Sequence, residues 1–149
     1  MRKQDGIAAQ ARQIEVDQTF DAIIVGAGFA GMYMLHCLRK IGLSTCVFET
    51  GSGVGGTWYW NRYPGARCDV ESMQYSYSFS EQLDQDWSWS EKYSPQPEIL
   101  AYANHVADRF DLRKDIRFDT KVTAATFDSK LKKWTVKTDR GDRVRAQFC

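Results

Sequence analysis

The stretch from Phe20 to Glu49 narrows the folds open to this chain more than any other. Phe20-Asp21-Ala22-Ile23-Ile24-Val25 is a short, nearly continuous apolar run, the pattern of a strand buried in a parallel sheet. Gly26-Ala27-Gly28-Phe29-Ala30-Gly31 follows without a spacer. Met32, Leu35, Leu38 and Ile41 then recur at helical spacing, and Gly42 predicts the stop. Ser44 to Glu49 reads as a second strand. A strand, tight turn, helix and strand within about thirty residues form the βαβ opening of a dinucleotide-binding fold.

The glycines in this turn have separate tasks. Gly26 permits the sharp exit from the strand, Gly28 lets backbone approach a pyrophosphate, and Gly31 lets helix pack closely on strand. The helix N-terminus then offers free N–H groups and a positive dipole end. Glu49 ends the second strand about twenty residues on, where a carboxylate accepts hydrogen bonds from ribose hydroxyls and repels a 2′-phosphate. Thr50 and Gly51 follow it, with no arginine, so this site is expected to take FAD or NAD and to reject NADP.

The 149 residues suit one domain, with 43% hydrophobic residues and a formal charge of +1. No basic block points to nucleic acid, and no apolar run is long enough to span a bilayer. Residues 1–19 are polar and contain Asp5, Glu15 and Asp17, unlike a secretory or transit signal; a flexible arm is expected there. Cys37, Cys46, Cys68 and Cys149 form no C-x-x-C pair and have no histidines at metal-ligand spacing. No metal site and a reduced, cytoplasmic setting are the expectation.

Beyond Glu49 the periodicity fades. Residues 50–69 read as a long functional loop rich in Gly, Trp, Tyr and Arg. Gln74 to Ser80 alternates Tyr75, Tyr77 and Phe79 with serines, which predicts an extended stretch with one aromatic face. Trp87 and Trp89 fall in an acidic loop. A helix is expected to start near Pro95 to Pro97, with Ile99, Tyr102, Ala103, Val106 and Phe110 as its buried stripe. Thr120–Phe127, Trp134–Thr138 and Arg143–Phe148 predict a small antiparallel β-meander. The fold class is therefore α/β: a Rossmann-like FAD-binding domain of βαβ unit plus meander. With only two parallel strands in view it reads as truncated, an expectation that carries weak FAD binding and poor solubility with it.

The long loop contains the most specific signal. Gly55-Gly56-Thr57-Trp58-Tyr59-Trp60-Asn61-Arg62-Tyr63-Pro64-Gly65-Ala66-Arg67-Cys68-Asp69 joins a glycine pair, which admits backbone close to a ligand, to aromatic rings that can wall a flat ring system. Read from its residues alone, it is a functional aromatic loop or a hydrophobic loop pinned to a core. The run resembles the signature of Baeyer–Villiger monooxygenases. Gly55, Gly56, Trp58, Tyr63, Pro64, Gly65 and Asp69 occupy every fixed position. The likeness runs on through Val70-Glu71-Ser72, Gln96-Pro97-Glu98-Ile99-Leu100 and Val106-Ala107-Asp108-Arg109-Phe110.

The resemblance implies an enzyme that binds FAD, reduces it with NADPH, and uses dioxygen to convert ketones to esters or lactones. It places Gly28, Phe29 and Ala30 at the pyrophosphate, Gly56, Thr57 and Trp58 along the flavin, and Tyr75 against the cofactor. Val122 would meet adenine, while Arg67, Cys68 and Asp69 would line the nicotinamide side. Asp69 would also serve catalysis by orienting an arginine far downstream. The family's second signature, F-x-G-x-x-x-H-x-x-x-W-P, its NADPH domain and that arginine would lie past Cys149. The expected organisation is thus an arm, 1–19, and a partial FAD-binding domain, 20–149, whose partner is the C-terminal remainder of its own chain. Alternatives are an N- or S-oxygenating flavoprotein, a non-catalytic FAD-binding remnant and, ranking low, an NAD-dependent dehydrogenase.

Overall fold

The computed structural model describes residues 18–149. The expected arm lies outside these residues except for its last two. Gln18 and Thr19 are not arm but the start of the first strand, paired with Val144 and Arg145. The elements are β1 (Gln18–Val25), α1 (Phe29–Lys40), β2 (Thr45–Phe48), a one-turn helix α2 (Thr57–Trp60), α3 (Glu81–Asp86), α4 (Gln96–Arg109), β3 (Ile116–Arg117), β4 (Val122–Asp128), β5 (Lys133–Thr138) and β6 (Arg143–Phe148). Single 3-10 turns sit at Ser72–Tyr75 and Arg113–Asp115.

One sheet runs in the order β3-β2-β1-β6-β5-β4. The βαβ unit is present as expected, with β1 and β2 parallel in the register Ala22↔Thr45 to Val25↔Phe48. The expectation of only two parallel strands is corrected. β3 adds to β2 in parallel, and β6, while still paired antiparallel with β5, also pairs in parallel with β1. β3 escaped the sequence because two residues show no period, and the partner of β6 lies more than a hundred residues away. On the β6 side, pairing with β1 stops at Ala22↔Phe148 among the described residues.

Alternation along β1 and β2 builds two cores. Val47 faces α1 and α4, in a cluster with Ala27, Met32, Leu35, Ala103, Ala107, Leu112 and Ile116. Ile23, Cys46 and Phe48 face the other way, onto Val136, Val144 and Ala146 of the meander. In α1, Met32 and Leu35 are buried, but Ile41 caps the helix and is 70% exposed, since the helix turns away before another contact forms. The stripe of α4 is as expected at Ile99, Tyr102, Ala103 and Val106, with Phe110 only partly buried. The extended stretch expected at 74–80 is not a strand. Tyr75 ends a 3-10 turn, and no strand edge lies beside Tyr77 and Phe79; their aromatic face exists, but packs by ring contact. No helix among the described residues is long and apolar enough to cross a membrane.

Asp21 and Ser44 lock the base of the βαβ unit. Oδ2 of Asp21 accepts from Ser44 N at 2.8 Å and Ser44 Oγ at 2.6 Å. These bonds, the side-chain one foremost, hold the Asp21 carboxyl below its ordinary value. A lowered folded pKa means a contribution present above the unfolded value and lost as pH falls through the folded one. Asp21→Asn is thus expected to lower the urea midpoint at neutral pH, and the gap to wild type is expected to close in acid.

Candidate functional site

The turn after β1 is shaped by contacts that only glycine allows. Gly26 has φ +99°. A Cβ on Gly31 would lie 2.0 Å from Gly26 O, so α1 starts in direct contact with the strand exit. Gly28 is the N-cap of α1 and no side chain caps the helix, which leaves the first-turn N–H groups facing outward.

The second wall comes from the Gly55–Gly56 pair. Gly55 N donates to Ala27 O at 3.0 Å, drawing the loop against the turn. A Cβ on Gly56 would stand 3.0 Å from Gly28 Cα, and Gly56 itself has φ +55°. α2 follows, and Trp58 packs into a cluster with Cys68 and Ile99. Gln96, from the start of α4, donates through Nε2 to Trp58 O. The loop before Tyr75 is pinned to the segment before α4 by Cys68 N to Ser94 O, 3.1 Å, and Ser72 Oγ to Ser94 Oγ, 2.8 Å. Trp58 and Tyr75 then meet edge-on at 5.5 Å.

These parts enclose one cleft of about 480 Å³, lined by Val25, Gly26, Gly28, Phe29, Ala30, Gly31, Gly55, Gly56, Thr57, Trp58 and Tyr75. Nine residues expected at a cofactor therefore come together from segments 49 positions apart at their extremes, Gly26 and Tyr75. Burial, then the charges at Cys68 and Asp69, push the Tyr75 phenol above its ordinary pKa.

Glu49 stands behind the turn. Its Oε2 accepts from Ala27 N and its Oε1 from Gly51 N, both at 2.7 Å, and the residue is 5% exposed. The carboxylate thus ties β2 to the glycine turn, with a lone pair left on each oxygen for a further donor. Arg67, Cys68, Asp69 and Val122 do not line the cleft. Arg67 Nη1 donates to Glu91 at 2.6 Å and to Tyr93 O at 2.5 Å. Cys68 is buried behind Trp58. Asp69 is exposed beside Tyr75, and its carboxylate makes no hydrogen bond or ion pair among the described residues. Val122 packs on the meander-side core. Gln96, Ser72 and Ser94 carry no sequence signal of their role, because their partners are backbone and hydroxyl groups far along the chain.

The residues fit a flavin dinucleotide. Bare backbone and open amides suit a pyrophosphate, an acid at a strand end suits a ribose, and Trp58 and Tyr75 offer rings to an isoalloxazine.

Residues 24–105 match the model of the NAD(P)-binding Rossmann-like domain, and the chain belongs to that family. Its likeness within the family is to Baeyer–Villiger-type monooxygenases. It is 48% identical over 134 residues to a Baeyer–Villiger monooxygenase of Pseudooceanicola batsensis, covering 89% of this chain and 25% of that one. It is 49% identical over 137 residues to phenazine N-monooxygenase PhzNO1 of Lysobacter antibioticus, covering 91% and 25%. The solved structure of an oxidised steroid monooxygenase bound to NADP superimposes with a TM-score of 0.84 at 66% identity, covering 86% and 25%. The chain spans about a quarter of the length of these relatives.

Proposed function

We propose that residues 20–149 form the FAD-binding part of a flavin-dependent Baeyer–Villiger monooxygenase, which converts ketones to esters or lactones with NADPH and dioxygen. The observation that carries this is the cleft where the glycine turn of β1–α1 meets Gly56, Trp58 and Tyr75. FAD, when bound, supplies the dioxygen-activating chemistry, and NADPH supplies the electrons. The chain's own residues bind and orient. The first-turn amides of α1, at Phe29 and Ala30, hold the pyrophosphate, Glu49 holds the adenosine ribose, and Trp58 and Tyr75 fix the plane of the ring system. Val122 lies on the adenine side.

Asp69 is a positioning residue in this reading. Its exposed carboxylate beside Tyr75 is free to orient a cation brought to the flavin, and Arg67 and Cys68 hold the loop that carries it. A second reading, N-oxygenation, draws support from the 49% identity to a phenazine N-monooxygenase.

The test is a graft of residues 18–149 in place of the matching quarter of the Pseudooceanicola batsensis enzyme. The expected product is a yellow protein whose NADPH consumption rises with ketones and yields esters. A yellow graft that oxygenates only aromatic nitrogen would favour the second reading. A colourless, folded graft would overturn both.

A further inference from the structure

The two aromatic walls of the cleft begin a run of rings, oxidisable except for Phe29, that ends at the partly exposed Trp87 and Trp89. Trp58 meets Tyr75 at 5.5 Å, and Tyr75 meets Phe29 at 5.8 Å. Phe29 stacks on Tyr102 at 6.2 Å. Tyr102 meets Trp89 at 5.1 Å and Trp87 at 5.3 Å, and the two indoles meet at 5.6 Å. Trp89 also packs against the cluster of Trp58, Cys68 and Ile99, so the path does not depend on Phe29 alone.

Packing alone accounts for a buried aromatic cluster. It does not require the oxidisable rings to lie in order from cleft to surface, nor the last two to follow an acidic helix. Glu81, Asp84 and Asp86 belong to α3, immediately before Trp87; Asp86 is paired with Arg109, and Asp84 is near enough to act on the Tyr102 phenol. Negative charge there favours a cation on the adjoining indoles. The interior phenols are poor resting places for an electron vacancy, because a tyrosine that loses an electron must also lose its proton. The Tyr77 hydroxyl, beside this path, donates at 2.5 Å to Phe29 O, a carbonyl that does not take a proton, and the Tyr102 hydroxyl accepts from Tyr77 N at 2.8 Å. An indole can be oxidised without losing a proton, so a vacancy runs on to the tryptophans.

The geometry points to a one-electron conduit in which Trp58, Tyr75, Tyr102, Trp89 and Trp87 carry an electron vacancy from the cleft to the surface. It rests on the reading that the cleft binds FAD. A strong one-electron oxidant in the cleft, light-excited flavin being the experimental case, gains one electron. Trp58 supplies it, or Tyr75 with its phenol proton released into the open cleft and taken back on refilling. The refilling electron crosses Tyr102, which bridges without being left oxidised and keeps its proton, and a terminal indole is left as a cation. An external one-electron reductant of the ascorbate class returns the electron. A vacancy stranded at Trp58 would damage the cleft wall, whereas one delivered to Trp87 is repaired from solution.

The test illuminates the full chain with blue light in air, with azide to remove singlet oxygen, and maps oxidised residues by peptide mass spectrometry. FAD is compared with riboflavin, which lacks the pyrophosphate and adenosine the site would hold; quenching of flavin fluorescence reports binding. Trp60 is the control, since it is 59% exposed and, among the described residues, its ring meets that of Tyr59 alone. With riboflavin, oxidation is expected to follow exposure and favour Trp60. With FAD, it is expected to shift several-fold toward Trp87 and Trp89. Tyr102→Phe and, independently, the partly exposed Trp89→Phe are expected to reduce oxidation at Trp87 several-fold with FAD still bound. Bound FAD with Trp60 still oxidised most, or with both variants unchanged, would overturn the conduit alone. The same illumination is run on the graft of residues 18–149, and a folded graft that quenches no flavin would overturn the functional reading and the conduit together.

Discussion

Gly31→Ala is expected to abolish FAD binding and to lower the melting temperature by several degrees. The added Cβ would lie 2.0 Å from Gly26 O and 3.1 Å from Gly26 C. Both are main-chain atoms of the turn that shapes the cleft, so no rotamer change relieves the clash. α1 must lift from β1, and its first-turn amides then leave the position that faces the pyrophosphate. Overpacking of this kind costs about 1–3 kcal/mol, with the upper end expected where backbone must move. Gly42→Ala is the control. Its Cβ meets nothing within 4 Å, and only its φ of +83° is strained, a penalty of about 1–2 kcal/mol that leaves the cleft untouched. Calorimetry with FAD titration checks both. Unchanged FAD affinity in Gly31→Ala would mean that close helix–strand contact is not what builds the site.

Glu49→Ala is expected to cost more stability still. The wild-type carboxylate accepts from Ala27 N and Gly51 N, and Ala27 is fully buried. Removing it leaves two donors unpaired, at about 1–3 kcal/mol each. A loss of about 2–6 kcal/mol is a large part of the total stability of a domain this size. Urea unfolding measures that term. Glu49→Gln separates it from recognition, because the amide keeps the shape and one acceptor but turns a donor toward the second N–H and the ribose. Stability is expected to recover partly while FAD affinity stays low. Full recovery of affinity in Glu49→Gln would remove the carboxylate from ribose binding.

Much of the site was legible before the fold. The β1–turn–α1–β2 unit is written in a dense apolar run, three spaced glycines and a helical stripe, all within reach of local chemistry. Gly56, Trp58 and Tyr75 were placed through a resemblance, since the residues of the Gly55–Asp69 loop by themselves left both a functional loop and a pinned hydrophobic loop open. Arg67 illustrates the limit. The resemblance places it on the nicotinamide side, whereas the fold sets that its guanidinium donates to Glu91 and the Tyr93 carbonyl. A side chain's direction depends on which acceptor the fold brings near, and periodicity does not encode that.

By itself the sequence determined the local geometry: where the chain must turn without a Cβ, where a helix begins, and which strand ends in an acid. Tertiary structure alone decided that Gly56 would rest against Gly28, that Glu49 would accept from Ala27 N in the glycine turn, and that β6 would return to pair with β1. The division is physical. Backbone preference and hydrophobic period act between near neighbours, whereas these contacts join residues tens of positions apart and form only when two cores pack on opposite faces of β1 and β2.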